Sequence, residues 1–137
     1  PDAFTYTAAI GACSRDQRWA CALYLLSDLT GRGVPSDAVA YNATIKACER
    51  GRQWRHALNL LIQMRLQLVQ PQVATFNATI SACEKSGQWA LAVHLLGEVR
   101  RSGLQPTVIT YSAAISACEK GGKWELGLGL LWEMRAA

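Results

Sequence analysis

"TISACEKSGQWALAVHLL", residues 79–96, returns thirty-five residues later as "AISACEKGGKWELGLGLL", residues 114–131. The step runs through the whole chain. Trp19, Trp54, Trp89 and Trp124 keep it, and so do Cys13, Cys48, Cys83 and Cys118. A third series, Tyr6, Tyr41, Phe76 and Tyr111, marks where each unit begins, and Pro71 and Pro106 mark where it closes. Self-similarity at a fixed period of this size is the signature of a repeat array. The chain divides into the close of a preceding repeat at residues 1–2, repeats at 3–37, 38–72 and 73–107, and a truncated repeat at 108–137.

Within "ATFNATISACEKSGQWALAVHLLGEVRRSGLQP", Ser86-Gly87 separates two segments of helical length, and Gly103 followed by Pro106 ends the second. The second segment carries Trp89, Ala92, Leu95, Leu96 and Val99 on one helical stripe. The other repeats carry it as Trp19, Leu26 and Leu29; Trp54, Leu61 and Met64; and Trp124, Leu131 and Met134. The first segment is rich in small residues, among them Ala78, Ser81, Ala82 and Cys83, which lets neighbouring first helices approach closely. One short helical pair cannot bury enough surface to offset its ordering entropy, whereas stacked pairs share a continuous core. The predicted fold is all-α, a solenoid of stacked helix-turn-helix repeats.

Composition agrees with a folded chain. Of 137 residues, half are hydrophobic and 18% are charged, and five are Trp. No apolar run approaches the ~20 residues that span a bilayer, so no membrane partner is expected. The start carries no basic and apolar leader, and the opening "PD" reads as the end of an earlier unit, which suggests an excerpt from a longer array. A net charge of +4 permits a polyanionic partner without requiring one.

Several residues invite chemistry. Four of the five cysteines share one repeat position, so in a stack they sit on neighbouring helices ~8 to 10 Å apart, beyond the ~7 Å reach of a disulfide. No C-x-x-C occurs, and His56 and His94 differ in repeat position, so no metal and no other cofactor is expected. The cysteines read as small buried hydrophobes, with Cys21 an unpaired thiol off the register. The recurring Trp residues read as core rather than as platforms for bases. Trp132 has no counterpart, and is expected to cover an end of the stack or to meet a further unit. Glu49, Glu84 and Glu119 recur one unit apart, which is no acid and base pair, and neither a phosphate loop nor a nucleophile with a His partner is present. Neither an enzyme nor a small-molecule substrate is expected.

Three polar columns remain. Thr7, Asn42, Asn77 and Ser112 follow the aromatic directly; they suit either N-capping or hydrogen bonding to a ligand. Thr5, Thr75 and Thr110, two residues earlier, are alternative caps. Asp2, Asp37, Gln72 and Thr107 lie at the unit boundary, as turn residues or as partners of the first column along a groove. Arg15, Arg50, Lys85 and Lys120 end each first helix, where a cation suits the helix dipole and equally a phosphate.

The 35-residue step, the opening "TYSAAISAC", the closing "RSGLQPT" and the "LLxEM" helix end resemble the pentatricopeptide repeat family in its pure 35-residue form. The tetratricopeptide repeat, a scaffold for peptides and partner proteins, is the alternative, but its period is usually ~34 and its Trp-x-x-Leu-Gly-x-x-Tyr pattern is missing here. The resemblance implies a right-handed superhelix that binds single-stranded RNA, one base per repeat on the concave groove. It implies base recognition by Thr7 with Asp37, Asn42 with Gln72, Asn77 with Thr107, and Ser112, for an approximate target 5′-G-Y-Y-R-3′. It implies that Phe4, Val39, Ala74 and Ile109 sandwich bases and that Arg15, Arg50, Lys85 and Lys120 contact phosphates. Work in a mitochondrion or plastid is a further implication, as are additional repeats or an effector domain in the parent chain.

Overall fold

A computed structural model describes residues 3–16, 18–33 and 37–136. Eight α-helices of thirteen residues make up the described chain: α1 (Ala3–Arg15), α2 (Trp19–Gly31), α3 (Ala38–Arg50), α4 (Trp54–Leu66), α5 (Val73–Lys85), α6 (Trp89–Arg101), α7 (Val108–Lys120) and α8 (Trp124–Ala136). They fall into two compact units, Pro1–Pro71 and Gln72–Ala137, of two helical pairs each. In the first unit α1 packs on α2 and α3, α2 on α3, and α3 on α4. The second unit repeats the arrangement with α5 to α8.

Both kinds of helix end are set by backbone chemistry legible in the turns. After α3, α5 and α7, the N–H groups of Gln53, Gln88 and Lys123 donate to the carbonyls of Cys48, Cys83 and Cys118 at 2.7 to 2.8 Å. Arg52, Gly87 and Gly122 donate to Glu49, Glu84 and Glu119. This crossed pair is the Schellman motif, which needs a residue with positive φ just past the helix. Gly87 and Gly122 supply it without strain at φ 73° and 72°. The second helices end the same way: the N–H groups of Leu68 and Gly103 donate to the Arg65 and Arg100 carbonyls.

The core of each unit alternates between the helix types. Tyr41, Ile45 and Cys48 of α3 and Phe76, Ile80 and Cys83 of α5 are fully buried. Leu26 and Leu29 of α2, Leu61 and Met64 of α4, and Leu96 and Val99 of α6 complete the stripes. In the second unit Leu96, Tyr111, Ala114, Cys118 and Leu130 form one cluster with Val93, Ile115 and Met134 at its margin. In the last helix the expected stripe is half-buried only at Met134: Trp124 is 64% exposed, and Leu131 also meets solvent. The reason is positional, because α6 packs on the following first helix, α7, and α8 is the last described element.

Two members of the Trp column do something other than fill the core. Trp19 and Trp89 are half-buried, each lying on the turn of the next pair. A Cβ on Gly51 would stand 2.3 Å from Trp19 Cδ1, and one on Gly121 would stand 2.4 Å from Trp89 Cδ1. The Trp19 ring stacks on His56 with centroids 5.3 Å apart, and Lys123 Nζ lies 5.1 Å from the Trp89 ring centre. Each indole is therefore a clamp between successive pairs, and a glycine leaves room for it.

The cysteines also divide. Cys48, Cys83 and Cys118 are buried as expected, and burial pushes their thiols up, to about 12 for Cys48 and about 11 for Cys83. Cys21 is not the isolated thiol its register suggests. Cys13 Sγ donates to Cys21 Sγ at 3.0 Å, and this bond, then burial, raises the Cys13 pKa. Helix spacing separates cysteines one repeat apart, whereas these two face each other within one pair, across α1 and α2.

Candidate nucleic-acid interface

The residues at the start of each first helix show which column caps. Asp37 has extended backbone at φ −106°, ψ 177°, and its carboxylate accepts from the Ala40 N–H at 3.1 Å, capping α3. Thr107 caps α7 in the same way through Thr110 N–H, and Thr107 N–H donates to Thr110 Oγ1 at 3.0 Å, closing a capping box. At α5 the Gln72 N–H donates to Thr75 Oγ1 at 3.1 Å. The caps are thus the boundary column. Thr75 and Thr110, expected as possible caps, are the reciprocal partners three residues inside. Asp2 lies outside the described residues.

This assignment leaves Asn42, Asn77 and Ser112 inside their helices at the fifth position, beyond the capping positions. The second unit brings one expected pair together. Asn77 Nδ2 lies 3.5 Å from Thr107 Oγ1, across α5 and α7. Buried Thr110 completes the group, its hydroxyl donating to Asn77 Oδ1 at 2.6 Å. Thr110 was not singled out for this role from the sequence, although its T-x-x-T spacing with Thr107 marks it as a capping-box member. Thr7 and Asp37 occupy the same register in the first unit, while Asn42 and Gln72 belong to different units. Ser112 is exposed on α7.

Phe4, Val39, Ala74 and Ile109 each take the second position of a first helix, and all four face solvent, Phe4 at 81% and Ile109 at 66%. Bulky apolar side chains held in water at one repeat position have no packing role there.

The basic column ends the first helices, as the helix dipole favours. Two of its members also tie neighbouring repeats together. Arg50 Nη1 donates to the Ser14 carbonyl at 2.9 Å, satisfying an acceptor near the end of α1, and Lys120 Nζ pairs with the Glu84 carboxylate. Arg15 and Lys85 are exposed. Among the described residues no group of three or more His, Cys, Asp or Glu is placed to hold a metal ion. No described helix is long and apolar enough to cross a membrane.

Helical hairpins repeated at a 35-residue step, each with a polar residue one turn inside its first helix, half-buried at Thr7, Asn42 and Asn77 and exposed at Ser112, define an α-solenoid with a repeated candidate site. Family profiles match across this chain: the PPR repeat family at residues 71–120, the pentatricopeptide repeat domain at 24–86, and the PPR repeat at 4–34 and 109–137. The chain belongs to the pentatricopeptide repeat family. Among solved structures, the pentatricopeptide repeat protein PPR10 in complex with an 18-nt psaJ RNA element is 32% identical, with a TM-score of 0.86 over 98% of this chain. The crystal structure of PPR10 from maize matches at 21% identity and a TM-score of 0.84 over 99% of this chain. This chain spans 20% of the length of those PPR10 chains. The PPR domain of Arabidopsis thaliana protein-only RNase P 1, solved in complex with tRNA, shares the fold at 18% identity and a TM-score of 0.88, over 98% of this chain and 71% of that one. No curated protein matches the sequence.

Proposed function

We propose that this chain binds single-stranded RNA, one base to each repeat, with Thr7 and Asp37, Asn42 and Gln72, Asn77 and Thr107, and Ser112 as the reading residues and 5′-G-Y-Y-R-3′ as the approximate target. The observation that carries the reading is the division of labour at the helix starts. The boundary residues cap, so the Asn and Ser column has no capping duty, and yet Asn77 is held beside Thr107 on an accessible face. A polar pair presented to solvent once per repeat is the arrangement that reads the edge of one unstacked base.

The exposed apolar residues Phe4, Val39 and Ile109 support it, because each supplies an apolar contact for a base face at the same repeat position; Ala74 supplies less. Arg15, Arg50, Lys85 and Lys120 supply one cation per repeat for the backbone, with Lys120 exchanging Glu84 for a phosphate. The PPR10 structure in complex with RNA, at 32% identity, lends the same support. The role is binding rather than catalysis, in a mitochondrion or plastid.

The test is Asn77→Thr. Thr7 occupies the equivalent place in repeat 1, so the substitution fits the helix and leaves both caps intact. Expected is a shift of preference from pyrimidine to purine at one base, with a melting temperature within ~2 °C of the parent. Equal weakening on every RNA together with a lowered melting temperature would show that Asn77 serves stability instead.

A further inference from the structure

Cys13 and Cys21 differ from the other cysteines in exposure and in contact. Both are partly exposed, whereas Cys48, Cys83 and Cys118 are buried. In the later repeats the register of Cys21 is held by His56, Leu91 and Leu126, so the hairpin needs no thiol there to fold. The pair spans one hairpin, with Cys13 near the end of α1 and Cys21 in the first turn of α2. The Arg18 N–H donates to the Cys13 carbonyl at 2.8 Å and fixes the entry to α2. The two sulfurs lie 3.0 Å apart, closer than carbon atoms in ordinary contact at ~3.5 to 4.0 Å. A disulfide bond is ~2.05 Å long, so a movement of about 1 Å joins them.

We propose that Cys13 and Cys21 form a thiol–disulfide site, oxidised by a hydroperoxide and reset by a dithiol. The Cys13 thiol donates its hydrogen bond to Cys21 Sγ, which makes Cys21 the sulfur that attacks. Cys21 also lies at the positive end of the α2 dipole, in a first turn that holds no acidic residue. Once its proton has passed to solvent, Cys21 attacks the peroxide: an S–O bond forms, the O–O bond breaks, and the hydroxide released takes up a proton as water. Cys13 then gives up its proton and attacks the Cys21 sulfenic acid; the S–S bond forms, the S–O bond breaks, and the second oxygen leaves as water. Two thiols have lost two protons and two electrons, and the peroxide has become two waters. A dithiol reverses the change by exchange, one of its sulfurs forming a mixed disulfide that the other resolves. The new bond closes a short ring over residues 13–21, which carries Trp19 and so stiffens the turn whose indole rests on Gly51 of the next pair.

The test treats the native protein with a small excess of hydrogen peroxide and reads the intact mass, the thiols left after unfolding, a non-reducing tryptic map and the melting temperature. Expected are a mass loss of about 2 Da, loss of two of the five thiols, and full reversal by dithiothreitol. Trypsin separates the two cysteines at Arg15 and Arg18, so the map should show their peptides joined. A ring of this size restricts the unfolded chain, and the melting temperature should rise by about 5 °C. Cys21→Leu places in repeat 1 the residue that repeats 3 and 4 carry, and should show neither the mass loss nor the rise. Cys13→Ser should stop at the Cys21 sulfenic acid, which dimedone traps. An unchanged thiol count in the parent, a bond between two copies, added oxygen without the mass loss, or a fall in melting temperature on oxidation each overturns the proposal. So does a mass loss that persists in Cys21→Leu, while a Cys13→Ser protein that gives no dimedone adduct at Cys21 overturns the order of attack.

Discussion

The clamp of Trp89 on Gly121 makes a prediction whose size depends on a second residue. Gly121 has φ −86° and ψ 3°, a conformation any residue adopts, so an alanine there meets no backbone strain. Its Cβ would stand 2.4 Å from Trp89 Cδ1, 2.8 Å from Cγ and 3.1 Å from Cβ. Carbon atoms prefer ~3.5 to 4.0 Å, and these are atoms at the root of the side chain, which cannot swing away on their own. The indole has to leave the turn or the pairs have to part. Overpacking of this kind costs about 1 to 3 kcal/mol, and loss of the Lys123 contact to the ring adds roughly 0.5 to 1 kcal/mol. Against this, Gly→Ala stiffens the unfolded chain and favours folding by about 0.4 to 1 kcal/mol. Gly121→Ala should therefore destabilise by about 2 kcal/mol. In a Trp89→Ala background the two ring atoms are gone and only the Cβ, at 3.1 Å, still crowds the new methyl, so the same substitution should cost less than about 1 kcal/mol. Urea unfolding of the parent, both single variants and the double variant, followed by circular dichroism, gives the coupling directly. The same destabilisation in both backgrounds would refute the clamp.

Two further outcomes are expected. Leu68 sits at the positive-φ position after α4, at φ 59°, and its side chain is 93% exposed, so Leu68→Gly removes backbone strain and little packing. It should raise stability by about 1 kcal/mol, whereas Gly103→Ala, at φ 79° in open space, should lower it by a similar amount in urea unfolding. Thiol labelling of the native protein at pH 8 should modify the partly accessible Cys21 first and Cys13 more slowly, since its bond to Cys21 raises its thiol, and leave Cys48, Cys83 and Cys118 to react only on unfolding. Burial holds Cys48 up at about 12 and Cys83 at about 11, so the reactive thiolate is scarce at both; rapid modification of either would contradict their burial.

The period carried most of the fold into view, because an apolar stripe and a turn recurring at a constant step leave few ways to bury the chain. Ser86-Gly87 and Gly103 mark helix ends by their backbone freedom, which is a property of the residue and so visible in sequence. Capping was less legible: Thr75 and Asn77 are both good cap residues, and only the extended backbone of Gln72 and Thr107 shows where the helices begin. The Cys13–Cys21 contact, across two helices of one pair, was invisible to an argument built on residues one repeat apart. Trp19 and Trp89 read as apolar in sequence, yet their role as clamps depends on Gly51 and Gly121, a pairing that the stripe does not reveal. The two polar columns were legible as possible partners along a groove from their positions, and the family resemblance matched Asn77 to Thr107; the Thr110 hydroxyl that holds the Asn77 amide needed the hydrogen-bond geometry.

The central claim is that the polar pairs read RNA bases. Selection of bound species from a randomised single-stranded RNA pool, at low and at moderate salt, tests it most directly. The account predicts saturable binding that weakens as salt rises, with enrichment of a short core in which G is followed by two pyrimidines and a purine. Binding without any enriched core, or no binding to RNA while a peptide library yields a ligand, would contradict it.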